Sequence, residues 1–111
     1  MTVHDPVPLV LVEESDGDPR RLRLTGNLDL TSAPVLVGTL DKMAAKRLDT
    51  IVLELDGIEF IDSYGLSAIV DCHRRIEAAG GRLRVGSMSD TARRLLDMTG
   101  LLEHLTSPQD D

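Results

Sequence analysis

Residues 50–76 read TIVLELDGIEFIDSYGLSAIVDCHRRI, and how this stretch divides decides the fold. Its first part, Thr50 to Gly57, is the most apolar strand-like run of the chain and is expected to be a central strand. An acid, a serine, a tyrosine and a glycine follow at Asp62 to Gly65, and then a second apolar run begins. Leu66, Ile69, Val70, His73 and Ile76 recur at the spacing of one helix face, which predicts a helix beginning near Gly65. Gly80-Gly81 is a strong stop signal for it.

Outward from this unit, the same two periodicities alternate. Toward the N-terminus, PLVLVEE (Pro8 to Glu14) reads as a strand and SDGDP (Ser15 to Pro19) as a turn. In RRLRLTG, Leu22 and Leu24 alternate with Arg21 and Arg23, so one face is apolar and the other wet. These two strands are expected to form a hairpin. LTSAPVLVGTLDKMAAKR carries Leu36, Leu40, Met43 and Arg47 at helical spacing, with Thr31 or Ser32 as cap and Pro34 in the first turn. Beyond Gly81, RLRVGS repeats the strand alternation, and Ser89 or Asp90 caps a last helix. That helix carries Ala92, Leu95, Leu96 and Thr99 on one face and stops at Gly100. LLEHL (Leu101 to Leu105) is a candidate short edge strand, and TSPQDD is a tail.

The order is β-β-α-β-α-β-α with a possible short last strand. Strands joined through single helices imply parallel crossovers, and the alternating arginines imply helices packed mainly on one face of a mixed β-sheet. The predicted α/β domain spans residues 8–105, between an N-terminal tail at 1–7 and a C-terminal tail at 106–111.

Composition excludes several function classes. The chain has 111 residues, enough for a single core, and its formal net charge of -7 argues against direct nucleic-acid binding. Phe60 and Tyr64 are the sole aromatics, too few to stack single-stranded bases. No apolar run approaches the roughly 20 residues of a membrane-spanning helix, so no membrane partner is expected. The first residues lack the basic start and cleavage site of a secretory signal. Cys72 is alone, allows no internal disulfide, and falls on the predicted helix as a small buried thiol. A cytoplasmic location fits these features.

Ser63 at the junction admits several readings. By local sequence, Asp62 or Ser63 caps the helix that follows. A nucleophile needs a base in reach, yet His73 is ten residues on, roughly 15 Å along the same helix. The G-x-S-x-G elbow is absent. Asp29, Asp56 and Asp62 sit near predicted strand ends, as in an aspartyl-phosphate receiver. The only lysines, though, are Lys42 and Lys46 on the first helix, so the acids read better as turn formers and caps. No phosphate-binding glycine loop is present, and neither cofactor nor metal is expected. The remaining reading makes Ser63 a substrate. A phosphate at a helix N-terminus is tolerated by the fold but deepens an acidic patch of Glu59, Asp62 and Asp29.

Three ordered motifs resemble the STAS domain family, most closely its stand-alone bacterial anti-sigma factor antagonists. They are LTGNLDLTSA (Leu24 to Ala33), IVLELDGIEFIDSYGLSAIV (Ile51 to Val70) and GGRLRVGSMSDTARRLLDMTGL (Gly80 to Leu101). The likeness runs from about Val10 to Leu105. It implies a STAS-like fold and a protein that is not an enzyme, acting in transcription regulation. An anti-sigma factor that is also a serine kinase would bind the unmodified chain, phosphorylate Ser63 and release it, and a serine phosphatase would restore it. The implied partner-binding residues are Asp29, Asp62, Ser63, Tyr64 and Gly65. The chain departs from the family at Tyr64, where Ser or Thr is usual, and a final helix common in the family is expected to be absent or shortened. The alternative is a STAS subunit docked constitutively in another assembly, a lipid-transport ATPase complex or a stress-sensing scaffold, with Ser63 only a cap.

Overall fold

A computed structural model describes residues 7–15 and 17–100. Its elements are β1 (Val10–Ser15), β2 (Arg20–Leu28), α1 (Ala33–Lys46), β3 (Thr50–Ile61), α2 (Ser63–Ala78), β4 (Arg82–Met88) and α3 (Asp90–Met98). The sheet order is β1-β2-β3-β4. β1 pairs antiparallel with β2, as the hairpin reading expects, while β2, β3 and β4 run parallel. The candidate strand at Leu101 to Leu105 and the shortened final helix lie outside the described residues. Among those described, no helix is long and apolar enough to cross a membrane.

One face of the sheet carries the core. Leu22, Leu24, Ile51, Leu53, Leu83 and Val85 are buried together with Leu36, Leu40 and Met43 of α1, Ile69, Cys72 and Ile76 of α2, and Ala92 and Leu96 of α3. All three helices therefore cover one side, as the alternating arginines imply.

The open face is polar and cross-linked. Glu54 Oε1 accepts from Ser87 N at 2.8 Å and Ser87 Oγ at 2.6 Å, while Oε2 takes Arg21 at 2.6 Å. Arg23 bridges Asp56 and Glu14, so the four strands are tied through charge as well as through the ladder. Burial alone would raise the Glu54 carboxyl, but the bonds from Ser87 and Arg21 win and hold it below the ordinary carboxylate range.

Several boundaries differ from the sequence reading, each for a tertiary reason. β3 continues past Gly57 to Ile61 because register shifts against β2 absorb the extra residues. Gly57 is no terminator: a Cβ there would meet Thr25 Cγ2 at 2.5 Å, so it permits close strand approach. On α2 the buried stripe is Gly65, Ala68, Ile69, Cys72 and Ile76, rotated from the expected one, so Leu66, Val70 and His73 fall at its margin. Arg47 lies beyond α1 in extended backbone and is exposed rather than part of the apolar stripe. Thr99 is likewise exposed at the end of α3.

Arg20 is the residue the alternation hides. It falls on the apolar face at 3% exposure, and its guanidinium donates to Met43 O at 2.7 Å, Arg47 O at 2.5 Å and Asp49 Oδ1 at 2.9 Å. It thereby satisfies carbonyls at the end of α1, where the helix dipole favours a cation. Arg20→Leu should cost about 3 kcal/mol in urea unfolding, because the buried carbonyls lose their donor and Asp49 loses one of its two arginine partners. The exposed Arg74→Ala should stay within about 0.5 kcal/mol of wild type, and equal losses would contradict the assignment.

The open-face network predicts a pH dependence. Because the Glu54 value is lowered on folding, its stabilisation is fully present above about 4.3, the ordinary glutamate value, and is lost as pH falls through the lowered one. Glu54→Gln should be less stable than wild type at neutral pH, and the gap should close on acidification. A gap that persisted unchanged to low pH would count against the network.

Candidate functional site

Parallel pairing of Leu28 with Ile61 brings the ends of β2 and β3 side by side, and with them the starts of α1 and α2. Ligand sites of open α/β sheets sit outside such carboxyl ends. All five predicted site residues lie here, in two adjoining loops and the first turn of α2.

Of the two capping candidates, Asp62 takes the role. Its Oδ1 accepts from Gly65 N at 2.9 Å, which starts α2 at Ser63 rather than near Gly65. Its Oδ2 accepts from Leu30 N at 3.1 Å, reaching into the loop before α1. The backbone closes the same joint, with Asp62 N donating to Leu28 O at 3.2 Å. Gly65 must be glycine for packing reasons: a Cβ would meet Leu28 O at 2.3 Å. The first turn of α2 is thus pressed against the end of β2.

Ser63 is left with no structural task. It is exposed, and its hydroxyl makes no hydrogen bond among the described residues. Tyr64, 57% exposed, stands beside it. Asp29 closes its own turn: Oδ1 accepts from Thr31 Oγ1 at 2.8 Å, Thr31 N at 3.1 Å and Ser32 N at 3.2 Å. The Thr31 hydroxyl leads in holding this carboxyl below its usual range, against a smaller upward push from burial, so Asp29 is anionic at neutral pH. Ser32 occupies the cap position of α1 without capping it; its Oγ donates to Asn27 O at 2.9 Å. Ser89, by contrast, caps α3 through Ala92 N at 3.1 Å.

The other acids and histidines do not converge. Asp56 is on the open face with Arg23, and Glu59 is exposed on β3 without a hydrogen bond to the junction. His73 Nε2 lies 3.6 Å from Glu77 Oε2, one turn along α2, which is the local partner expected of a helix-face histidine. No group of three or more His, Cys, Asp or Glu among the described residues has an arrangement that could hold a metal ion. Leu30 is the site residue that sequence reasoning passed over. Its signal is an exposed leucine directly after the Asp29 turn.

Comparison with known proteins agrees with this architecture. A family model described as STAS domain matches residues 10–109. The chain is 34% identical over 83 residues to the anti-sigma F factor antagonist of Paenibacillus polymyxa, covering 74% of this chain and 71% of that one. It is 31% identical over 90 residues to the anti-sigma-B factor antagonist of Bacillus subtilis (strain 168), covering 81% of each. Its fold matches the anti-sigma factor antagonist SpoIIAA in the unphosphorylated form, with a TM-score of 0.74 at 21% identity over 92% of this chain and 90% of that one. The phosphorylated form of this Bacillus cell-fate determinant gives 0.69 at the same 21% identity, over 92% and 93%.

The double role of Asp62 separates two substitutions. Asp62→Ala loses both acceptors and should cost about 2 kcal/mol; Asp62→Asn keeps the cap but turns an amide donor toward Leu30 N–H, at about 1 kcal/mol. Hydrogen exchange should then be accelerated at Leu30 in both variants but at Gly65 only in Asp62→Ala. Exchange at Leu30 as slow as in wild type would remove the tether from this account.

Proposed function

The chain belongs to the STAS domain family, and from that premise we propose that it is an anti-sigma factor antagonist whose binding is switched by phosphorylation of Ser63. The observation that carries the reading is the Ser63 hydroxyl: exposed, unpaired among the described residues, and fixed at the start of a helix whose capping is done by Asp62. Its relatives by sequence are named as antagonists of anti-sigma factors, which are binding regulators rather than enzymes.

In this reading the unmodified domain docks an anti-sigma factor at Asp29, Asp62, Ser63, Tyr64 and Gly65 and so frees a sigma factor, in the cytoplasm. The anti-sigma factor acts as a kinase. Ser63 Oγ attacks the γ-phosphorus of its nucleoside triphosphate, the O–P bond forms, the β–γ bridge breaks, and the diphosphate leaves. The kinase must supply the base for the hydroxyl proton, since His73 lies ten residues further along α2, roughly 15 Å away. A phosphatase returns the hydroxyl by delivering water to phosphorus and releasing inorganic phosphate. We assign this site to a domain of residues 8–105, of which the structure describes 8–15 and 17–100.

Release follows from charge. The phosphate adds about -1.5 to -2 charges beside the carboxylate of Asp62. Redocking would have to desolvate that anion against others. Folding is spared, because the free N–H groups of a helix start accommodate negative charge.

With a purified cognate anti-sigma factor, Ser63→Ala should bind within about threefold of wild type, and Ser63→Asp about 100-fold more weakly, equivalent to about 2.7 kcal/mol. Incubation with kinase and ATP should add one phosphate to the peptide containing Ser63, read by mass spectrometry. Equal affinity of the two variants would sink the switch while leaving the fold intact.

A further inference from the structure

Beside Ser63 the surface falls into an apolar groove of about 410 Å³, lined by Leu30, Ala33, Pro34, Val37, Gly38 and Tyr64. It runs between the first half of α1 and the start of α2. It is continuous with the acceptor site, because Leu30 is tied to Asp62 and Tyr64 follows Ser63 directly.

Gly38 is the anomaly in its floor. It lies in the interior of the 14-residue α1, where glycine is less favourable than any residue but proline. Its φ is not positive, and a Cβ built on it meets no atom within 4 Å. Neither backbone conformation nor internal packing calls for a glycine here. What its missing side chain provides is depth in the groove, and a local rule broken without internal gain marks a functional position.

The rim supplies the charge. Asp29 and Asp62 accept from backbone amides and hydroxyls, and neither has a Lys, Arg or His salt-bridge partner among the described residues. A protein that covers them must bring a cation, since an uncompensated buried carboxylate is costly.

Resting on the antagonist reading above, we propose that this groove receives an aliphatic side chain of the anti-sigma factor, seated over Gly38 against Pro34 and the Tyr64 ring, with a Lys or Arg beside it facing Asp29 and Asp62. Tyr64 is then the specificity residue: a rigid aromatic wall that selects the partner independently of the phosphate switch. One cation offsets part of the charge of the two resting carboxylates, and a phosphate on Ser63 adds about -1.5 to -2 more that it cannot offset.

Tyr64 is the only tyrosine, so 3-fluorotyrosine labelling gives one ¹⁹F resonance at the groove. The probes are the purified anti-sigma factor kinases of the source organism, titrated into the unphosphorylated chain. The kinase that binds should shift this resonance. Gly38→Leu, which fills the groove, and Tyr64→Ala, which removes its wall, should each weaken binding about tenfold or more. Gly38→Ala leaves room; it should bind within about threefold of wild type and melt at a higher temperature, which controls for folding. Unchanged binding by Gly38→Leu and Tyr64→Ala, with Ser63→Asp still defective, overturns the groove and spares the switch. Weakening by the groove variants with Ser63→Asp binding normally supports the groove and overturns the switch. Absence of binding to every kinase overturns both. Dissociation of a free-chain dimer by Gly38→Leu would make the groove a contact between copies and also overturn the proposal.

Discussion

The two oxygens of Asp62 reach backbone N–H groups in different elements, Gly65 in the first turn of α2 and Leu30 in the loop before α1. A helix cap ordinarily fixes one helix start; this one also holds a neighbouring loop 32 residues away in sequence. Because Asp62 does the capping, the serine after it is released from that duty. Gly65 completes the constraint, since its missing Cβ lets the turn sit on Leu28 O. An alanine there would push the whole first turn, Ser63 included, off the end of β2.

The sheet explains why the joint can be made at all. Parallel strands β2 and β3 finish level with one another, so both loops that leave them emerge at the same end. With all three helices on one face, the opposite face is left to the Arg21–Glu54–Ser87 and Arg23–Asp56 contacts. The candidate site residues thereby lie at the strand ends, away from the core. Arg20 works at the other end of the same unit, where it finishes α1 from beneath. Each end of α1 is thus held by a side chain or turn from outside the helix.

Periodicity made the element order and the buried side of the sheet legible, because alternation of Leu22 and Leu24 with Arg21 and Arg23 needs no partner to be read. Wherever a residue's role depends on a distant partner, the local pattern misled or fell silent. Gly57 looked like a strand end because its reason is Thr25. Arg20 drew no reading from the alternation, because the carbonyls that explain it lie more than twenty residues on. The same limit applied to the site. Asp62 and Ser63 are both competent caps, and what separates them is that Asp62 accepts from Gly65 N while also reaching Leu30 N in a distant loop. The five site residues were nevertheless found together, since their motif is contiguous except for Asp29. Leu30 and the floor of the groove were not, because an exposed leucine and a mid-helix glycine carry no chemistry until the two helices are set side by side.

This division bears on what a phosphate at Ser63 can do. A dianion near a helix start interacts favourably with the dipole by roughly 0.3–1 kcal/mol, a small effect on a domain whose core lies elsewhere. Switching a complex from mostly bound to mostly free needs a larger difference, about 2.7 kcal/mol for a hundredfold change in affinity. The fold cannot supply that difference if it is indifferent to the modification, so the difference must arise when the surface is covered. That demands an acceptor that bears no load in the free molecule yet lies inside the contact area. A serine that capped its own helix would fail the first condition, and one remote from Leu30, Tyr64 and the acidic rim would fail the second. By taking the capping role, Asp62 lets Ser63 meet the first condition, and the joint to Leu30 places it beside the proposed contact surface, as the second requires.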